Sequence, residues 1–453
     1  MKLPVPKNLK LLADACPFPL YVVGGSVRDF LCGFPLSKPD WDIAAAGTED
    51  ELISAAQTCG FTVKSVYRNT GTVKLKAAGE EYEFTRFRSD QYVRGVHTPA
   101  EITFTDCIET DARRRDFCAN AVYYDVKART FCDPLGGMRD IERKTLRTVM
   151  PAKKVFGEDG LRLMRLARLS AELGFSPDEE ALAGASEHRA LIRDIAPERI
   201  FKELTLILHA DQKHRDADAP YRGLGILRKT GVLGEILPEL ALGDGMKQRS
   251  DFHDHDVLEH SLRCVKYAQP QIRFAALLHD VGKPFCMLRD GKYHLHAEEG
   301  ARIAREILSR LKAPKKLQEE TSELVRLHMR DYDLCMKENK VRAEIVTYHP
   351  MLEKLLALRQ ADYSACKDDL STAPSVKKWR EIEIRMREEG APFTVKELAL
   401  NGADLLGLGL APEQIGTALH ELLLYCAADG RRNQPQTLLM HLKNIYKDAL
   451  SHV

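Results

Sequence analysis

The 453-residue sequence has almost no net charge, +1 from 67 Lys and Arg against 66 Asp and Glu. A global basic field is therefore excluded, and any nucleic-acid binding must rest on local patches and shape. No Cys-x-x-Cys pair occurs among the eleven cysteines, which run from Cys16 to Cys426. This argues against zinc knuckles and against a secreted disulfide framework, and predicts reduced, mostly buried thiols. No apolar run approaches the length of a membrane span. The opening residues Met1-Lys2-Leu3-Pro4-Val5-Pro6, broken by proline and followed by Lys10, Asp14 and Pro17, predict no signal segment. A cytoplasmic location is the expectation. Internal repeats and low-complexity segments are also lacking. What is present, 44% hydrophobic and 29% charged residues, is ordinary for a soluble globular chain whose length predicts about three domains.

Val23-Gly24-Gly25-Ser26-Val27-Arg28-Asp29 reads as a short buried strand, a glycine turn and a helix start. Alone, a Gly-Gly pair is usually only a turn. Here the backbone N–H groups of Gly24, Gly25 and Ser26, with the Arg28 guanidinium, suit a triphosphate. Asp40-Trp41-Asp42-Ile43 follows as a strand, whose alternation puts both carboxylates on one face and Trp41 and Ile43 on the other. Two carboxylates on one face suit Mg2+, which lowers the pKa of an attacking hydroxyl and neutralises a departing pyrophosphate. The combination resembles the signature of the DNA polymerase β-like nucleotidyltransferase superfamily.

Residues 20 to 150 mix strands (63–67, 72–77, 82–87, 102–104 and 121–126) with a helix from Thr48 to Cys59 capped by Thr48, an α+β head built on one sheet. After Pro151 the periodicity is helical over 157–173, 198–208 and 224–233, with a polar connection from Asp211 to Pro220. Helices continue over about 256–330 and 340–370, and two or three more occupy the tail from Val395. The expected divisions are a head at 1–150, a helical neck and body at 151–250, a metal-binding helical domain at 251–375 and a helical tail at 376–453.

Arg113-Arg114-Arg115-Asp116 leads into an apolar segment, where Arg115 and Asp116 suit a ribose and phosphate contact better than a solvated face does. Gly24 to Asp29, Asp40-x-Asp42, Arg114-Arg115-Asp116-Phe117-x-x-Asn120-Ala121, Asp133-Pro134-Leu135-Gly136-Gly137 and Glu158-Asp159-x-x-Arg162 occur in the order found in bacterial class II CCA-adding enzymes and the related poly(A) polymerases. The chain is identified as a member of that family. Arg199, in Glu198-Arg199-Ile200-Phe201-Lys202-Glu203-Leu204, resembles a further motif. The resemblance implies a polymerase β-like head with a mixed sheet, an all-α neck and body, and template-independent addition of C, C and A to tRNA 3′ ends from CTP and ATP. Narrower alternatives are A-addition alone or poly(A) synthesis. An alternative of another class is a phosphohydrolase whose head merely binds RNA.

Asp159 and Arg162, three apart on one helix, place an acceptor beside a donor fork. That pair matches the edges of C and A and opposes those of U and G; as a bare i,i+3 pair it would be a surface ion pair. Arg165 and Arg168 extend the same helix toward a growing 3′ end or the tRNA backbone, or lie solvated. Glu83 is the candidate third carboxylate of the Mg2+ site, on a neighbouring strand. Residues 89–100 read as a mobile loop. In the family a loop there is associated with the switch from adding C to adding A. Cys118, Ala119 and Gly160 depart from the family pattern.

Seven of the fifteen histidines lie between His253 and His328. His260, then His279-Asp280 ending an apolar helix, then Asp362 resemble the HD superfamily of metal-dependent phosphohydrolases. That set suits Mn, Fe, Ni or Mg, activating water against a phosphate ester. His296 and His328 are candidates for a second metal or the phosphate, and Lys283 for offsetting substrate charge. The resemblance implies phosphodiesterase or phosphatase activity on RNA ends, and a tail, with Leu398 to Leu405 and Asn433, that grips tRNA by shape.

Overall fold

Strands β1 (Tyr21–Val23) and β2 (Trp41–Ala45) form the centre of the head. Around them a computed structural model, which describes residues 2–36, 40–91, 101–248 and 254–446, sets β3 (Thr62–Tyr67), β4 (Thr72–Ala77), β5 (Glu80–Arg86), β8 (Tyr123–Asp125) and β9 (Thr130–Cys132) in one mixed sheet ordered β3-β4-β5-β2-β1-β8-β9. Only β2 and β5 run parallel, in a register that sets Asp42 against Glu83. The expected single sheet is not the whole of it. β6 (Arg88–Gln91) and β7 (Glu101–Phe104) pair apart as a two-stranded ribbon, and β10 (Thr145–Leu146) pairs in parallel with β11 (Ser176–Pro177). Residues 92–100 of the expected loop lie outside the described residues.

Local chemistry explains most of the boundaries. Thr48 caps the helix Glu49–Thr58 through a capping box, its backbone N–H donating to Glu51 Oε2 at 2.9 Å. The strand expected over 121–126 shortens to β8, because Cys118–Asn120 coils into a 3-10 turn. The connection from Asp211 to Pro220 contains a short helix, Asp211–His214. The helix expected over 157–173 is two helices, Ala152–Glu158 and Leu161–Leu173, with Asp159 extended between them (φ −146°, ψ 107°). Gly160 makes the break possible: a Cβ there would lie 2.5 Å from the Leu191 carbonyl oxygen.

The chain divides into two units, Met1–Ala241 with Ser309–Ala313 and Leu242–Leu308 with Pro314–Val453. The second is helical throughout among the described residues, and its core includes one element that the periodicity reading passed over. Helix Pro374–Glu388 carries Trp379, fully buried among residues such as Ile345, Leu356 and Leu422. Its charged residues outnumber its apolar ones, so the pattern gives a weak signal.

Candidate active site and metal cluster

Gly24 opens the head's site. It ends β1 with φ +83°, a conformation L side chains rarely adopt, and a Cβ there would lie 3.1 Å from Asp42 Oδ2. Ser26 Oγ donates to the Asp40 carbonyl, tying the glycine turn to the start of β2. Asp40 stands exposed just ahead of that strand rather than within it, while Trp41 and Ile43 are buried on the opposite face. Arg28 is buried, donating from Nη1 to Asn120 Oδ1 at 2.6 Å and pairing with Asp29 at 2.6 Å.

A cleft of about 730 Å³ gathers these groups with Arg114, Arg115, Asp116, Asp159, Arg162, Arg165 and Arg168. Arg115 Nη2 lies 3.2 Å from Asp111 Oδ2, and its Nε donates to the Tyr123 hydroxyl at 3.2 Å. Asp116 accepts from Asn120 Nδ2 at 3.0 Å and Arg165 Nε at 2.7 Å. Burial opposes its charge, but Arg165 and the Asn120 hydrogen bond hold the carboxyl well below the usual range. Arg165 is thus ion-paired though half-buried, and Arg168 is more enclosed. Arg168 bridges Glu203 at 2.7 Å and Glu172 at 3.1 Å.

Asp159 and Arg162 do not share a helix. Asp159 sits in the break, its Oδ1 accepting from the Leu161 N–H at 2.9 Å, and Arg162 Nε lies 4.0 Å from Asp159 Oδ2. The other end of the guanidinium is anchored on the carbonyls of Val155 (3.0 Å) and Arg114 (2.8 Å). The two side chains meet through the bend. Glu83 is beside Asp42 in the register but pairs with Lys74 at 3.3 Å and is not among the residues lining the cleft.

Arg199, Lys202 and Lys213 also line the cleft, and only the first had drawn attention in the sequence. Lys213 Nζ lies 3.1 Å from Glu172 Oε2 and 3.5 Å from Asp29 Oδ2. The available signal is the polar pair Arg199 and Lys202 on helix Pro197–Leu208, away from buried Ile200, Leu204, Ile207 and Leu208.

Burial pushes the Asp42 carboxyl up to about 6; Arg115 opposes the shift, and Glu83 and Asp40 add to it. A divalent ion held by Asp42 would compete with the proton for this carboxylate, so its binding should strengthen as pH rises to about 6 and level off above. The Mg2+ concentration for half-maximal nucleotide incorporation should rise about tenfold for each pH unit below 6. A requirement that stays constant from pH 5 to 8 would contradict this assignment.

In the second unit, His260 lies on helix Val257–Tyr267, which Asp256 caps by accepting from Glu259 N–H at 2.7 Å. His279 and Asp280 follow helix Arg273–Leu278, and Asp362 lies on Leu352–Lys367. All four are buried. His260 Nε2 lies 2.9 Å from Asp362 Oδ1 and 3.2 Å from His279 Nε2. His260, His279 and Asp362 bring ligand atoms to one centre, and Asp280 and His296 to an adjoining one, which His328 joins from the end of helix Lys315–Leu327.

Close backbone packing delivers His296. A Cβ on Gly282 would lie 2.2 Å from the His296 carbonyl oxygen, so only glycine lets that helix meet the Asp280 turn. Burial opposes charge on Asp280, but His279 and Lys283 hold it well below the usual carboxylate range; Lys283 Nζ is 2.6 Å from Oδ2. Burial opposes charge on Asp362 as well, and hydrogen bonds from His260 and His279 hold it low. Burial, with His279 and His296 nearby, pushes His328 down to about 3.

Family comparisons agree with this division of chemistry. Residues 20–147 match the Poly A polymerase head domain, 174–242 the probable RNA and SrmB- binding site of polymerase A, and 257–363 the HD domain. The fold and sites therefore define a polymerase-type nucleotidyltransferase head joined in one chain to an HD domain. The chain is 30% identical over 417 residues to the multifunctional CCA protein of Xylella fastidiosa (strain 9a5c), covering 88% of this chain and 94% of that one. It is 33% identical over 325 residues to the multifunctional CCA protein of Stenotrophomonas maltophilia (strain K279a), covering 68% and 75%. The chain belongs to the multifunctional CCA protein family. Its fold resembles that of the Bacillus stearothermophilus CCA-adding enzyme in complex with CTP, with a TM-score of 0.67 at 23% identity, covering 98% of this chain and 100% of that one. Among the described residues no helix is long and apolar enough to cross a membrane.

Proposed function

We propose that the head adds C, C and A to tRNA 3′ ends from CTP and ATP, releasing pyrophosphate, in the cytoplasm. The observation that carries the reading is the Asp40–Asp42 carboxylate pair set against the Gly24 turn in a cleft walled by Arg115, Arg165 and Arg168. The names of the relatives support it. Asp40 and Asp42 suit Mg2+, and when bound the ion supplies Lewis acidity at the α-phosphate and the leaving pyrophosphate. The Gly24–Ser26 turn and Arg28 orient the triphosphate, and Arg115 and Asp116 position the ribose. The tRNA 3′-oxygen attacks the α-phosphorus as the bond to pyrophosphate breaks.

Asp159 accepts from the exocyclic amine of C or A, and Arg162 donates to the adjacent ring nitrogen. Asp159→Ala should lower the preference for CTP and ATP over UTP and GTP by about 1–3 kcal/mol, roughly five- to 150-fold. Competition between labelled nucleotides reads this directly, and an unchanged preference would remove Asp159 from base reading. The chain is read as head 1–150, neck and body 151–250, HD domain 251–375 and tRNA-binding tail 376–453.

The deciding experiment offers CTP and ATP with Mg2+ to tRNA transcripts lacking CCA, ending in C and ending in CC. Growth of all three to CCA is expected. A single A added to the CC-ending transcript alone would make the protein an A-adding enzyme, and long A tails a poly(A) polymerase. The HD cluster is read as a phosphohydrolase acting on phosphate esters at RNA ends, with Mn, Fe, Ni or Mg held by His260, His279, Asp280 and Asp362. His279→Ala should abolish hydrolysis of a 2′,3′-cyclic phosphate and leave CTP incorporation in place.

A further inference from the structure

Lys213 reaches the cleft of the head from the short helix Asp211–His214, and two carboxylates hold its ammonium. Glu172 Oε2 lies 3.1 Å from Nζ and Asp29 Oδ2 lies 3.5 Å away. Lys213 lines the cleft, whereas neither of these carboxylates is among the lining residues. The lysine is gripped from behind the wall. A second contact joins the same two segments: the His214 ring stacks on Phe34, with centroids 3.6 Å apart and planes 13° from parallel. The Phe34 N–H in turn donates to the Asp29 carbonyl at 2.9 Å. The main chain and the side chain of Asp29 are thus both tied to one helical turn that comes about 180 residues later in the sequence.

Asp29 divides its oxygens between two cations. Oδ1 accepts from Arg28 Nε at 2.8 Å and from Nη2 at 2.6 Å, and Oδ2 faces Lys213. Arg28 Nη1 donates to Asn120 Oδ1 at 2.6 Å, so all three guanidinium nitrogens are anchored within the protein. Nη2 also borders the glycine turn, where a Cβ on Gly25 would lie 3.6 Å from it. A guanidinium fixed in this way presents its remaining N–H groups to phosphate oxygens in one orientation. The anchor has an electrostatic cost, because Asp29 sets a negative charge near the place of a triphosphate. Lys213 offsets that charge. Glu172 needs the same lysine: burial opposes its charge, and Arg168 and Lys213 hold it below the usual carboxylate range.

We propose that Lys213 is a positioning residue for the incoming nucleotide, acting through Asp29 on Arg28 rather than touching the phosphates. Its ammonium is given to Glu172 and Asp29, so it neutralises Asp29 and steadies the carboxylate that aims Arg28 at the triphosphate. The effect falls on nucleotide affinity. It is equal for CTP and ATP, because Arg28 meets the triphosphate, the part the two nucleotides share. The proposal rests on the nucleotide-transfer reading of the head given above.

The test measures Kd for labelled CTP and ATP by equilibrium dialysis with Mg2+ on the full-length protein, alongside growth of the tRNA transcripts. Lys213→Met should raise Kd for both nucleotides about fivefold, the upper end of what a partly exposed ion pair contributes, and leave kcat within about twofold. The far-UV circular dichroism spectrum and the affinity for CMP should not change; a CMP affinity that falls equally overturns the proposal. In an Asp29→Asn background the same substitution should weaken CTP binding by less than about twofold, since the carboxylate through which the lysine acts is gone. An equal loss in both backgrounds means that the lysine touches the phosphates itself, and overturns the proposal. If Asp29→Asn does not fold, Lys213→Arg and Lys213→Gln decide: arginine should restore Kd to within about twofold, and arginine as weak as glutamine overturns the proposal. An unchanged Kd in Lys213→Met overturns it alone, whatever the transcripts do. Nucleotide affinities that shift as expected, with no growth of any transcript, would sink the transfer reading alone.

Discussion

Asp42→Asn is expected to reduce CTP and ATP incorporation by about a thousandfold or more, with binding of tRNA nearly unchanged. The substitution keeps the side-chain shape beside Gly24 but removes the charge that a divalent ion needs, and metal stabilisation of the developing charge is worth several kcal/mol, about tenfold per 1.4 kcal/mol. Single-turnover incorporation into a CC-ending tRNA measures the chemical step, and filter binding measures the complex. Because Asp42 is largely buried with its carboxyl pushed up to about 6, an amide fits the site without a charge to solvate. A loss of less than tenfold would mean that Asp42 does not hold the ion. An equal loss of tRNA binding would mean that the substitution acts through folding.

The largest stability effect should come from Trp379→Ala. The ring is fully buried, its Nε1 donates to Asp331 Oδ2 at 3.0 Å, and the Arg359 guanidinium lies 4.2 Å from the ring centroid. Truncating a buried Trp costs about 3–5 kcal/mol. Here it also takes a donor from a buried carboxylate whose Oδ2 Lys378 Nζ also approaches at 2.8 Å. Chemical denaturation followed by circular dichroism should show the transition containing this helix moved to lower urea. Arg359 lies one turn before Asp362 on the same helix, so Mn2+ affinity of the HD cluster should fall in the same variant. A change below about 1 kcal/mol would show that the cavity collapses around the missing ring.

The parts of the site that depend on short-range rules were legible in the sequence. Gly24 and Asp42 announce a turn and an alternating strand within twenty residues, and Thr48 announces its helix as a cap. The helix Val257–Tyr267 lies within the helical stretch expected over about 256–330. What escaped depends on distant packing. The break at Asp159 and Gly160 is set by the Leu191 carbonyl, some thirty residues away, and no local propensity reports that contact. The pairing of Arg165 with Asp116 and of Arg168 with Glu203 joins separate segments, while Glu172 lies one turn along the same helix as Arg168. Helix Pro374–Glu388 was passed over because its charged face dominates the pattern, although Trp379 and Ile382 anchor it.

Gly24 and Asp42 also constrain how the gene can drift. With φ at +83°, and with 3.1 Å between the Asp42 oxygen and the place of a Cβ at position 24, a side chain at 24 would strain the turn whatever stands at 42, whereas an amide at 42 leaves the turn intact. In a duplicated copy released from selection for nucleotide transfer, position 42 is therefore free to change before position 24. Gly24 beside an altered residue 42 would mark a descendant that keeps the turn after losing the carboxylate.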